Sequence, residues 1–123
     1  GANFARRWAV KWEDSHLTGE RLVEGARSGE KKYREVFHEY SLFFAYMVNA
    51  LVVLYSPEKI FISGGFSEAS DLFLPEAQRQ LVELLSSRRK GIDLLPEIST
   101  ARLGLATGLI GGAFIALRAQ RVI

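Results

Sequence analysis

Only two segments of this chain read as β-strands, and each is followed by a segment that reads as a helix. Ile60-Phe61-Ile62-Ser63 is an almost unbroken β-branched and aromatic run, which suits a strand covered on both faces. A second short strand is expected over residues 92–98. Between them, residues 71–89 predict a helix with Leu74, Ala77, Leu81, Leu84 and Leu85 on its apolar face and Pro75 tolerated in its first turn. A last helix is expected over residues 101–121. Strand–helix–strand–helix implies a right-handed crossover and two parallel strands. Such a pair rarely stands alone, so the missing strands must come from further chain or from a partner.

Upstream, three helices are expected. Residues 3–12 form a short amphipathic one, ended by Glu13-Asp14-Ser15-His16. Thr18 is an N-cap for a helix to residue 27, closed by Ser28-Gly29, where glycine suits a left-handed C′ position. A long helix covers residues 31–54. Its first half is amphipathic through Tyr33, Val36, Phe37 and Tyr40, and its second half is apolar nearly all round, so burial on most sides is expected there. The fold class is therefore α/β with the order ααα-β-α-β-α, in one domain of 123 residues: a helical segment, 1–55, and a β-α-β-α unit, 56–123.

Composition removes several classes of function. The chain has no Cys, hence no disulfide or thiolate metal site, and its 48% hydrophobic and 24% charged residues are those of a soluble globular protein. An intracellular, cytoplasmic location is expected. The net charge of +2 is small, and Arg6-Arg7, Lys31-Lys32 and Arg88-Arg89-Lys90 lie far apart with acids between them, so nucleic acid is not an expected partner. Neither apolar run, 42–55 or 103–117, reaches the ~18–20 residues that span a bilayer, and both read as core helices. The opening residues resemble no signal peptide. A first residue that is Gly and not Met suggests a piece of something longer.

The chemistry-bearing residues are few. Gly64-Gly65 follows the first strand and precedes Ser67 and Glu68, at the position where open α/β sheets bind ligands beyond the carboxyl ends of their strands. Two glycines cost roughly 0.5–1 kcal/mol each relative to Ala, so they serve either a positive-φ turn or the close approach of another group. Without G-x-G-x-x-G or a P-loop Lys, a plain tight turn and a ligand-binding turn are both open. Gly104, Gly108, Gly112 and Ala116 recur at i+4, a smooth stripe read as tight packing against another backbone, with a nearby ligand as the alternative. His16 and His38 have no ligand partners at metal spacing, so no metal is expected on this chain. The acids read as solvated helix faces, and none is marked as a general base. Asn49 is the polar outlier of an apolar helix, read as a hydrogen-bonded core residue.

Two longer stretches, YSPEKIFISGGFSEASDLFLPEAQRQL and ARLGLATGLIGGAFIAL, resemble the C-terminal part of the ROK family of sugar kinases and related repressors. The shared pattern is a Pro-x-x-Ile strand, a Gly-Gly turn with Ser two residues on, a helix with an early Pro, a short strand and a Leu-Gly…Gly-Leu-Ile-Gly helix. TGERLVEGARSGEKKYREVF is similar to the family's segment before the strand, so the likeness covers residues 18–117. It implies a partial ribonuclease H-like, actin-like ATPase C-terminal lobe in which the Gly-Gly turn is the adenosine motif. Gly64, Gly65 and Ser67 would then line the nucleotide site, with Phe66 a wall or a core residue.

Gly111-Gly112-Ala113 departs from the commoner Gly-Ala-Ala of the family. Its phosphate loops, catalytic Asp and Cys-rich zinc motif are absent from this sequence, and GANFARR resembles the stretch that follows the zinc motif. The resemblance thus implies the nucleotide-binding portion of an ATP-dependent sugar kinase, glucokinase-like, acting on a hexose or an N-acetylhexosamine. It further implies ATP with Mg in the parent enzyme, no catalytic residue on this chain, an inactive isolated chain, a missing N-terminal part as partner, and a homodimer. The alternatives are the effector or dimerisation domain of a ROK-type sugar-responsive repressor, and a structural module that binds nothing small.

Overall fold

A computed structural model describes residues 2–88, 91–101 and 107–119. Helix α1 (Ala2–Lys11) gives way to a turn in which Glu13 takes a left-handed φ of 54° and Asp14 Oδ1 accepts from the His16 amide at 3.0 Å. Thr18, extended, caps α2 (Gly19–Arg27) by accepting the Arg21 amide on its hydroxyl at 3.1 Å, satisfying one of the free donors of a helix start. Gly29, at φ 86°, makes the left-handed turn into α3 (Lys31–Tyr55). That helix stops where Ser56 turns left-handed at φ 46° and Pro57 cannot continue it.

Strand β1 (Lys59–Ile62) pairs with β2 (Glu97–Thr100) in parallel, with Ile60 opposite Ile98 and Ile62 opposite Thr100. The second strand starts later than residues 92–98 suggested, and Pro96 is the reason. Proline has no amide to give a ladder, so pairing begins one residue on, where the Glu97 amide donates to Glu58 O at 3.0 Å. Gly91–Leu94 forms a 3-10 turn instead. The first strand is also not covered on both faces. Ile60 and Ile62 are half-buried against the core, whereas Phe61 is 65% exposed.

The segment after Gly64 is a 3-10 helix, Gly65–Leu72, and α4 (Leu74–Ser86) starts behind it with Pro75 in its first positions, where a proline is tolerated. Local bonds account for the 3-10 turn: the Ser67 amide and hydroxyl both donate to Gly64 O, at 3.0 and 2.6 Å, offering the backbone an alternative to α-helical pairing.

The core lies where α2, α3 and α4 meet. Leu22, Val36, Phe37, Val48, Val52, Phe73, Leu81 and Leu85 are fully buried. The Tyr33 ring occupies the place where a Cβ on Gly25 would stand, so that glycine allows α2 to approach α3. Ser41, also buried, donates to Phe37 O at 2.7 Å and Phe73 O at 3.1 Å, tying α3 to the entrance of α4. Tyr40 sits among Phe4, Phe44, Phe66 and Phe73, and burial pushes its phenol above the ordinary value.

The second half of α3 is buried on one side only, which corrects the expectation of burial on most sides. Phe44, Ala45, Val48 and Val52 face the core, while Phe43, Tyr46, Met47, Val53 and Leu54 form an exposed stripe opposite them. Taken whole, α3 is long and apolar enough by length and composition to cross a bilayer, but its buried side is that of a core helix. Helix α5 (Thr107–Ala119) leaves residues Leu109–Ala119 exposed throughout. The close packing expected of the small-residue stripe is absent at Gly112, beside which a Cβ would meet nothing among the described residues, while Gly104 lies outside them.

Candidate functional site

Gly64 is held at φ 92°, ψ 177°, a conformation open to glycine and costly for other residues. It turns the chain from the end of β1 so that Gly65 and Phe66 face α2. Between them lies a cleft of about 890 Å³, within the size range of small-molecule sites. One wall is α2 from its cap to its end, including Thr18, Gly19, Val23 and Arg27; the other is Gly65, Phe66, Glu68 and Ala69.

The two walls differ in chemistry. Phe66 stacks near-parallel to Phe37 at 6.0 Å and Phe73 at 5.6 Å, and meets Phe4 and Tyr40 edge-on, so its ring is both core and wall. The α2 side carries Glu20 and Glu24 at the solvent edge, the latter paired with Arg21 at 3.4 Å. At the far end Arg27 Nη2 donates to Glu68 O at 3.1 Å and Asp71 Oδ1 at 3.0 Å. Arg27 and Asp71 also line a second, polar cavity of about 440 Å³ with Arg34 and Glu76.

Of the residues singled out in the sequence, Gly65 lines the cleft and Gly64 makes the turn that presents it. Ser67 lies just behind, 7% exposed, with its hydroxyl given to Gly64 O. Its role there is to hold the turn. His38 is exposed and its Nδ1 lies 2.6 Å from Glu76 Oε1, joining α3 to α4. Asn49 Oδ1 is buried with no partner among the described residues, so the hydrogen bond expected of Asn49 is not made through that oxygen to any of them. No group of three or more His, Asp or Glu side chains among the described residues converges as a metal site. The α2 wall was missed by sequence reasoning. Residues 18–27 carry no local sign that they face a turn forty residues away.

A parallel strand pair with an intervening helix, a glycine turn at the carboxyl end of the first strand and a cleft above it define a piece of an α/β fold. The sequence model of the ROK family matches residues 1–119, and the chain belongs to that family. Two curated relatives, the N-acetyl-D-glucosamine kinases of Pectobacterium carotovorum and Pectobacterium atrosepticum, are each 29% identical over 120 residues, 94% of this chain. The chain spans 38% of their length. A solved structure from Cytophaga hutchinsonii, of a protein assigned as a sugar kinase, superposes over 94% of this chain and 40% of its own, with a TM-score of 0.71 and 18% identity. That likeness establishes the fold.

Proposed function

We propose that this chain supplies the nucleotide-binding side of an ATP-dependent sugar kinase, with an N-acetylhexosamine or a hexose as acceptor in the whole protein. The observation that carries this reading is the cleft between α2 and the Gly64-Gly65 turn: an apolar strip of Val23, Phe66 and Ala69 for a flat base, beside backbone from which side chains have been removed. The whole protein is read as a cytoplasmic homodimer that uses ATP with Mg. Both curated relatives are kinases, which favours catalysis over the repressor reading.

Phosphoryl transfer rests on positioning and electrostatic stabilisation by a base, a metal and phosphate-cradling groups. This sequence contains neither the family's phosphate loops nor its catalytic Asp, so the chain alone is expected to phosphorylate no hexose. The test is an NMR titration of the chain with ATP. Signals of Gly65, Phe66, Val23 and Ala69 move on addition of ATP and not of glucose, and Gly65→Val abolishes the shifts while the rest of the spectrum stays folded. ATP leaving those signals unmoved would sink the reading.

A further inference from the structure

A nucleotide has an uncharged end, base and ribose, and a multiply charged one. The charges of the cleft suit only the first. Glu20, Glu24 and Glu68 all line it, and Arg27 is the one cation among the described residues that do. Arg27 is already engaged, by Asp71 Oδ1 at 3.0 Å and Glu68 O at 3.1 Å. Glu24 is partly offset by Arg21 at 3.4 Å, whereas Glu20 and Glu68 form no ion pair among the described residues.

The acids stand where an anion would otherwise be drawn. The start of α2 opens onto the cleft through Thr18 and Gly19, and a helix N-terminus attracts negative charge. Here the Thr18 hydroxyl takes the Arg21 amide at 3.1 Å, and Glu20 sits in the first turn, so that helix end carries its own negative charge. On the facing turn the Ser67 amide is given to Gly64 O at 3.0 Å. A phosphate entering the cleft meets three acidic residues and one guanidinium that is already paired. An uncharged purine nucleoside meets the apolar strip of Val23, Phe66 and Ala69, with carboxylate acceptors for its hydroxyls at the edge.

We propose that Glu20, together with Glu24 one turn on and Glu68 on the facing turn, is a specificity-determining residue that keeps phosphate out of this cleft and leaves it to the nucleoside end of the ligand. This rests on the nucleotide reading above. The consequence is an inverted order of affinity on the chain itself: each phosphate added to adenosine weakens binding. All three acids are exposed, so the repulsion is that of charges in water, about two- to five-fold for a unit pair a few ångströms apart, and salt screens it.

The test is an NMR titration of the chain with adenosine, AMP and ATP in Mg-free buffer, with residue 1 acetylated so that no terminal amine adds a positive charge next to Ala2. At ~0.01 M salt adenosine should bind about three-fold or more tightly than ATP, with AMP between them, and the gap should shrink at ~0.15 M. Glu20→Gln should narrow the gap at low salt by strengthening ATP, with adenosine little changed, and Glu20→Lys should close or reverse it. Glu83→Gln makes the same change in net charge on α4, outside the cleft lining, and should leave the gap as it is. ATP binding as tightly as adenosine, or more tightly, at low salt overturns the inference and leaves the nucleotide reading in place. So does a gap that neither Glu20 variant moves, one that Glu83→Gln moves as far, or a Glu20→Gln chain that binds all three ligands more weakly, the mark of a role in folding alone. A wild type whose signals none of the three ligands moves removes both.

Discussion

The helical junction of α2, α3 and α4 and the outer part of the molecule, formed by the far stripe of α3, the outer face of the sheet and α5, both carry large apolar side chains, which end in opposite states. Phe73 is 1% exposed, ringed by Tyr40, Phe44 and Phe66; Phe114, on α5, is 56% exposed. The difference is one of partners, because an apolar face is buried only if a second layer exists to cover it. At the junction α3 packs against both α2 and α4. The sheet has one layer on its inner side, α5 lies in the open, and the relatives contain well over half their length beyond the part this chain spans.

The largest expected effect is at the closed end of that comparison. Phe73→Ala removes a ring from the centre of the aromatic cluster, and a buried Phe→Ala costs about 3–5 kcal/mol, a large part of a domain's ~5–15 kcal/mol. Phe114→Ala should change stability by under about 0.5 kcal/mol. Urea denaturation of both variants reads the contrast, and equal effects would dissolve it.

Glycines sharpen the same contrast with smaller numbers. Gly25→Ala forces a methyl into the Tyr33 ring and should cost about 1–3 kcal/mol through overpacking. Gly111→Ala meets nothing and should stabilise by up to about 1 kcal/mol through helix propensity. Opposite signs in thermal melting are the expected result.

Ser41→Ala comes next. Its hydroxyl bonds two carbonyls in the core, and losing it leaves Phe73 O without that donor, for which about 1–2 kcal/mol is expected by chemical denaturation. The smallest effect on folding belongs to the exposed stripe of α3. Met47→Glu should alter unfolding by under about 0.5 kcal/mol, yet it places a charge in the middle of a surface with Phe43, Tyr46 and Leu54 of the kind that marks contact sites. Light scattering at micromolar concentration should show the wild type self-associating, as a two-fold dimer, and Met47→Glu less so. A monomeric wild type removes the dimer.

The order of elements was legible because it is written locally. Thr18, Gly29 and Pro57 punctuate the helices, and the spacing of Leu74, Ala77, Leu81 and Leu85 sets the buried face of α4. What escaped depends on neighbours that periodicity does not see. The late start of β2 follows from Pro96 needing no ladder partner, and the 3-10 turn from Ser67 bonding back to Gly64. The bare side of α3 looked like core because an apolar residue carries no record of whether its covering layer is present. In the candidate site, the glycine turn could be found from Gly64-Gly65, but the opposite wall includes Val23 and Arg27, brought there by the packing of α2, with Gly25 against Tyr33 as part of it.

Phe66 belongs to the cleft and to the core at once, stacked on Phe37 and Phe73 behind the surface it offers. A change there would alter the shape of the cleft and the folding of the core together, so that wall has little freedom to drift. On the opposite wall Val23 packs against the core from its edge, while Glu24 and Arg27 are exposed. Change in what such a cleft accepts would therefore be tolerated more readily at the exposed positions of the helix than at the turn, where the same ring must also fill the core.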